Sequence, residues 1–265
     1  MKKIYIIILS VVVMAFASCS KTTYYQVYQT QSTNPDACQL VNGYLVHEDN
    51  YVTVQYNFFD ENGNAGFWLT NKTDSIVYIN LAESFYVVNG AANDYFKARE
   101  WTSTKSQTIS SSKKEGKRRS NSNKSNEVSI GTSSTSTSAT ASVERSVVAV
   151  PPHAAKYVSE YSIQNNIMEL CGVTDTPKRS KSAGLSYTEE NSPLRFGNYI
   201  TYTVGMKGNR KSLSDYFYVS QIINVHEASM FEMVRTKDAC GKETGEKVEK
   251  MLYSTADRFY VTYKK

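Results

Sequence analysis

The sequence predicts an all-β protein, a β-sandwich interrupted by a long disordered Ser-rich insertion. Three observations carry that prediction. Short runs of alternating apolar and polar residues recur at intervals of about 8 to 15 residues, separated by turn residues. These runs are dense in tyrosine, of which the chain has 20, and few helical patterns lie between them. Between the runs, residues 102–144 change character altogether.

Before the first strand stands a different element. Met1-Lys2-Lys3 is a short basic start, residues 4–16 are apolar apart from Tyr5 and Ser10, and the small Ala17 and Ser18 follow. That is the layout of an export signal, residues 1–18. It is too short for a membrane span, which needs about 20 apolar residues, and the polar SKTTYYQ begins directly after Cys19. Phe16-Ala17-Ser18-Cys19 resembles the lipobox of bacterial lipoproteins, with Phe where Leu or Val is commoner. That resemblance implies a diacylglycerol on the Cys19 thiol, cleavage before it and acylation of the new amino group. The alternatives are an ordinary signal cleaved near Ser18 and an uncleaved anchor. Two or more acyl chains hold a protein firmly on a bilayer where one does not.

The first strands are expected within residues 19–101. Val52, Val54, Tyr56 and Phe58 fall on one face and Thr53, Gln55 and Asn57 on the other, the period-two pattern of a half-buried strand. Residues 60–66 (DENGNAG) favour a hairpin because Asn and Gly tolerate positive φ, and Phe67-Trp68-Leu69-Thr70 begins the return strand. A turn at residues 71–74 leads into residues 75–81, and residues 84–88 run to an Asn89-Gly90 turn. Residues 93–101 read as one helical turn.

The segment 102–144 holds 14 Ser and 7 Thr among 43 residues and no aromatic residue. Such a segment cannot bury enough apolar surface to offset the backbone entropy of ordering, and reads as disordered. It also carries seven basic residues against three acidic ones. The whole chain has a net charge of +5, which falls to +3 when Lys2 and Lys3 leave with the signal; without the insertion the remainder is −1. The alkaline character therefore belongs to one segment, and the folded part gives no electrostatic argument for nucleic acid. The KKEGKRR core reads as a soluble tether or as a patch for anionic headgroups.

Residues 145–265 resume the β pattern. Residues 146–150 run into Pro151-Pro152, which cannot donate to a ladder and so place that strand at an edge or end it. Residues 156–163, 198–204, 216–225 and 258–263 continue the strands. Residues 243–253 are the best helix candidate, with Val248, Met251 and Leu252 at helical spacing. One sandwich drawing strands from both sides of the insertion is preferred over two small ones, because the first 80 or so residues could not cover both their faces alone.

The stretches WLTNKTDSIVYINLAESFYVVNG, VVAVPPHAAKYVSEYSI and LRFGNYITYTV with DYFYVSQIINV together resemble Bacteroidota outer-membrane lipoproteins of immunoglobulin-like type. The resemblance covers most of the mature chain and implies an immunoglobulin-like sandwich and an outer-membrane location. It brings no catalytic motif with it. The absence of acidic residues in Ser20-Lys21-Thr22-Thr23 points to the periplasmic rather than the cell-surface face, since in this family acidic residues after the Cys accompany export to the surface.

The sequence offers little chemistry. His47, His153 and His226 match no metal spacing, and neighbours in His47-Glu48-Asp49 and His226-Glu227 would point to opposite faces of a strand. Ser110 to Lys113 and Ser111 to Lys114 are SxxK matches inside the insertion, where nothing would preorganise them. Glu189-Glu190 and Asp60-Glu61 are adjacent carboxylates in turns, poorly placed for glycoside hydrolysis. With Cys19 lipidated, Cys38, Cys171 and Cys240 remain, an odd number with three possible single pairings. Asp74-Ser75-Ile76 resembles a Bacteroidota O-glycosylation site, making Ser75 a candidate glycan carrier. The expectation is a lipid-anchored, non-catalytic binding or structural module of the envelope, with no cofactor and no metal, and an envelope protein or a glycan as partner. The runner-up is a periplasmic or surface hydrolase acting on glycan or cell-wall material. A third reading, an assembly factor, would accept a partner strand at the edge beside Pro151-Pro152.

Overall fold

The computed structural model describes residues 21–108 and 135–265, with side chains described outside 101–142. In chain order the strands are β1 (Thr23–Ser32), β2 (Cys38–Val41), β3 (Tyr44–Glu48), β4 (Val52–Tyr56), β5 (Phe67–Asn71), β6 (Val77–Asn80), β7 (Phe85–Val88), β8 (Ala91–Asp94) and β9 (Glu100–Thr108). After the undescribed stretch come β10 (Thr135–Val143), β11 (Val147–Val150), β12 (Ala155–Val158), β13 (Ala183–Ser186), β14 (Arg195–Val204), β15 (Arg210–His226), β16 (Phe231–Lys237), β17 (Glu243–Met251) and β18 (Arg258–Lys264). The only described helical pieces are short 3-10 turns at Leu81–Glu83 and Glu227–Ser229.

The strands form an all-β sandwich. The larger sheet runs β11-β6-β14-β15-β1-β18, with β7 and β8 extending it beside β14 and β13 beside β15; the smaller runs β12-β5-β4-β3-β2. Every ladder is antiparallel. Strands from before and after the insertion interleave in the larger sheet, and in the smaller one β12 from after it is added at the edge of β5.

Alternation decides which faces meet. In β4, Val52, Val54 and Tyr56 are buried while Thr53 and Gln55 are not, and Phe58 continues the buried face past the strand's end. Opposite them the larger sheet contributes Phe196, Ile200 and Tyr202 from β14 and Leu213, Phe217 and Val219 from β15, all buried. Rings dominate the contact: Phe58 meets Phe217 edge to face at 4.8 Å and Phe196 at 5.1 Å, and Tyr28 stacks on Phe259 at 4.6 Å. On the outer face of the larger sheet, Tyr25, Val27, Val225 and Met230 form a satellite cluster beneath Phe231, Met251 and Tyr253 at the foot of the β16–β17 ribbon.

Two crossings between the sheets lie side by side. The chain passes from β5 to β6 through residues 72–76 and from β11 to β12 through Pro151–Ala154, so the proline pair marks an edge in both sheets. Buried Asn71 ties the crossings together: its Nδ2 donates to the carbonyls of Ser75 (2.7 Å), Val150 (3.1 Å) and Pro151 (3.0 Å), while its Oδ1 accepts from Thr73 N and Oγ1.

Residues Phe96–Ser146 form a separate compact unit. Its described part is a ladder pairing Glu100–Thr108 with Thr135–Val143, so the described ends of the Ser-rich segment are in strands. Arg99 and Glu144 pair beside the ladder at 2.9 Å, and Glu144 also accepts from the backbone N–H groups of Lys97 and Arg99. These contacts, led by the Arg99 guanidinium, hold the Glu144 carboxyl down to about 2.

Two sequence expectations fail. Residues 243–253 are not a helix: Glu243–Met251 is β17, paired with β16 so that Val248 faces Val234 and Lys250 faces Glu232. Residues 93–101 contain no helical turn, because Asn93 and Asp94 end β8 against Tyr86 and Phe85, and Glu100 already opens β9. In both cases pairing with the preceding strand of a hairpin overrides the local pattern.

Candidate functional site

Cys19 lies outside the described residues, as do Ser110, Ser111, Lys113 and Lys114. Ser75 is exposed in the first crossing, next to Asp74, whose carboxylate pairs with exposed His153 at 2.9 Å. Glu189 and Glu190 are exposed in the turn before β14, where the Glu189 carbonyl accepts from the Arg195 guanidinium. His226 accepts from the backbone N–H of Ala228 and packs edge-on against Tyr24. Cys38, Cys171 and Cys240 are free thiols, Cys38 buried and the other two exposed. Burial pushes the Cys38 thiol up to about 12.

His47-Glu48-Asp49 separate as strand alternation requires. Glu48 faces outward and pairs with Lys72. Asp49 caps the backbone of Tyr51 and Val52 and accepts from the Tyr202 hydroxyl. Burial raises the Asp49 carboxyl, but the Tyr202 hydroxyl and the two backbone donors outweigh it, and the net direction is down. His47 turns inward, its Nδ1 2.5 Å from Asp215 Oδ1, while the buried Tyr56 hydroxyl donates to Asp215 Oδ2 at 2.6 Å. This His–Asp–Tyr bridge joins β3 and β4 to β15 across the sandwich. Desolvation raises the Asp215 carboxyl in spite of both hydrogen bonds. The bridge orients its members for each other, which is a structural arrangement.

The most prominent exposed aromatic pair lies on the outer face of the smaller sheet. Successive registers place Tyr157, Trp68, Gln55, Val46 and Gln39 directly opposite one another, a single row across all five strands. Trp68 and Tyr157 stay 44% and 38% exposed, with ring centroids 5.0 Å apart and planes inclined by 34°. Thr53 and Thr70 flank the row on one side. Beyond the other side, Asn64 donates from Nδ2 to the Tyr157 hydroxyl and accepts at Oδ1 from Gly66 N (2.9 Å) and Ser159 Oγ (3.3 Å). Asn64 and Ser159 also line a recess of about 410 Å³ with Asp60, Glu61, Glu160 and Tyr161. The hairpin that residues 60–66 were expected to form positions this recess, with Asn62 and Gly63 both at positive φ.

No protein-family model, curated protein or solved structure matches the chain.

A second cleft, of about 500 Å³, lies between the larger sheet and the loop 167–175. Its buried amides are occupied by the loop itself: Gln26 bonds the backbone of Met168 in both directions and accepts from Tyr28, and Asn224 accepts from Gln26 and donates to the Thr174 carbonyl. These polar groups serve to dock the loop. Among the described residues, no three His, Cys, Asp or Glu side chains are grouped to hold a metal, and no helix is long and apolar enough to cross a membrane.

In the sequence Trp68 shares its strand face with the polar Thr70, which marks it as outward, whereas Tyr157 shares its face with Ala155 and leaves the charged Lys156 on the other, so alternation does not single it out. Asp215 left no signal, since its partners lie 168 and 159 residues away.

Proposed function

We propose that the chain is a lipid-anchored module of the bacterial cell envelope that binds a ligand without transforming it. The observation that carries this reading is the Trp68–Tyr157 pair, two large rings kept exposed side by side on the outer face of the smaller sheet. An aromatic side chain joins a broad apolar surface to a polar tip and leaves water favourably when a partner covers it. A cross-strand aromatic pair also stabilises its sheet by about 0.2 to 1 kcal/mol, but that gain does not require either ring to stay more than a third exposed.

The export-signal pattern and Cys19 support attachment to the outer membrane, and the residues after Cys19 support its periplasmic face. The divergence of His47, Glu48 and Asp49 supports a non-catalytic role. The test is sedimentation of the full chain, purified in detergent, with washed insoluble envelope material from the producing cells. Wild type is expected to sediment and Trp68→Ala to remain in solution. Equal behaviour of the two proteins would overturn the reading, and release of soluble sugars or peptides would replace it with hydrolysis. For the anchor, radiolabelled palmitate should enter the wild type and not Cys19→Ala. Trypsin, for which the segment 105–124 offers many sites, should cut only after lysis if the module faces the periplasm.

A further inference from the structure

Resting on that reading, we propose that the ligand of the Tyr157-Trp68-Gln55-Val46-Gln39 row is an uncharged or amino-bearing polysaccharide lying across the strands. The argument has three parts. First, adjacent strands are about 4.8 Å apart, so the row spans about 19 Å, and its repeat matches the length of a pyranose ring rather than the 3.3 Å rise of an extended peptide. Second, the row sets aromatic and aliphatic surface (Tyr157, Trp68, Val46) beside amides (Gln55, Gln39). Pyranose rings present the matching surfaces, since their axial C–H faces pack on aromatic rings and their equatorial hydroxyls exchange hydrogen bonds with groups such as Gln55 and Gln39 at the rim.

Third, charge selects among glycans. The row contains no Lys, Arg, Asp or Glu. The recess that adjoins it through Asn64 and Ser159 is lined by the carboxylates of Asp60 and Glu61. A uronate, a sialylated chain or a phosphorylated headgroup would bring like charge against those carboxylates, whereas a neutral chain meets no penalty and a free amine is attracted.

The experiment uses the full chain in detergent with three probes of equal length: an N-acetylglucosamine hexamer, a glucosamine hexamer and a galacturonate hexamer. The chain has two tryptophans, so Trp101→Phe leaves Trp68 as the sole fluorescence reporter. The acetylated and amino hexamers should shift Trp68 emission and protect it from acrylamide. Galacturonate should bind at least about tenfold more weakly, and Trp68→Ala and Tyr157→Ala, followed by calorimetry, should each weaken the acetylated hexamer by about tenfold. Melting curves of both variants check folding, and Trp68→Phe, which keeps a ring, should retain part of the binding. Galacturonate binding as tightly as the others would overturn the proposal. So would the absence of all binding while Trp68→Ala still abolished envelope sedimentation; that combination leaves the binding module standing with a protein ligand. If Trp68→Ala changed neither assay, both readings would fall.

Discussion

Asp215 shows how one side chain can join two sheets. It accepts from His47 on β3 and Tyr56 on β4 while belonging to β15, so removing its carboxyl leaves the buried Tyr56 hydroxyl without a partner. Asp215→Ala should destabilise the protein by about 3 kcal/mol, whereas Asp215→Asn, which can satisfy both neighbours after a change of His47 tautomer, should lie within about 1 kcal/mol of wild type. Urea unfolding measures both. The sign with pH follows from the raised Asp215 carboxyl: the folded state holds that proton more tightly than the unfolded chain. Wild type should therefore lose stability relative to Asp215→Asn as pH rises from the ordinary carboxylate range through the elevated value; the opposite slope would exclude this account. Cys38 gives a second residue-level test. Because burial raises its thiol, iodoacetamide on the reduced native protein should modify Cys171 and Cys240 and reach Cys38 only in denaturant, as counted by mass spectrometry.

At the scale of the element, what was legible in the sequence was alternation. Val52 to Phe58 could be assigned a buried face, the Asn89-Gly90 turn follows from two residues that accept positive φ (46° and 83°), and Pro151-Pro152 implies an edge. Which sheet each strand joins was not legible, because β5 and β6 are separated by a turn like any other yet belong to different layers. The same limit explains β17: Val248, Met251 and Leu252 satisfy a helical period, and only the facing β16 excludes it. Asn71 sits at the point where the layers change. Replacing it with Asp would turn an oxygen toward the carbonyls of Ser75, Val150 and Pro151. Asn71→Asp should cost about 3 kcal/mol in urea unfolding, more than an exposed substitution such as Lys72→Ala. A loss under 1 kcal/mol would show that the crossings hold without the clamp. Elsewhere in the larger sheet Gly197 imposes a steric demand, since a Cβ there would lie 2.2 Å from the Asp215 carbonyl oxygen.

At the scale of the whole molecule, the sandwich is completed by strands on both sides of the insertion, while residues Phe96–Ser146 hold their own ladder. Glu100 and Val143 face each other in that ladder, so a short Gly-Ser turn can replace residues 102–142 without stretching the chain. The shortened protein should melt within a few degrees of wild type by circular dichroism, because no sandwich strand is removed; a large drop would show that the insertion completes the core. The ladders around β1 have a mechanical meaning. β1 is bonded to β15 from Tyr24 to Ser32 and to β18 from Thr23 to Gln29. With the anchor proposed above, a pull on a bound ligand would reach the sandwich through Thr23, the start of that strand. Two antiparallel ladders then share the load in shear, with many bonds strained together instead of one at a time, and the strand nearest the tether is the last that a tugging ligand would draw out.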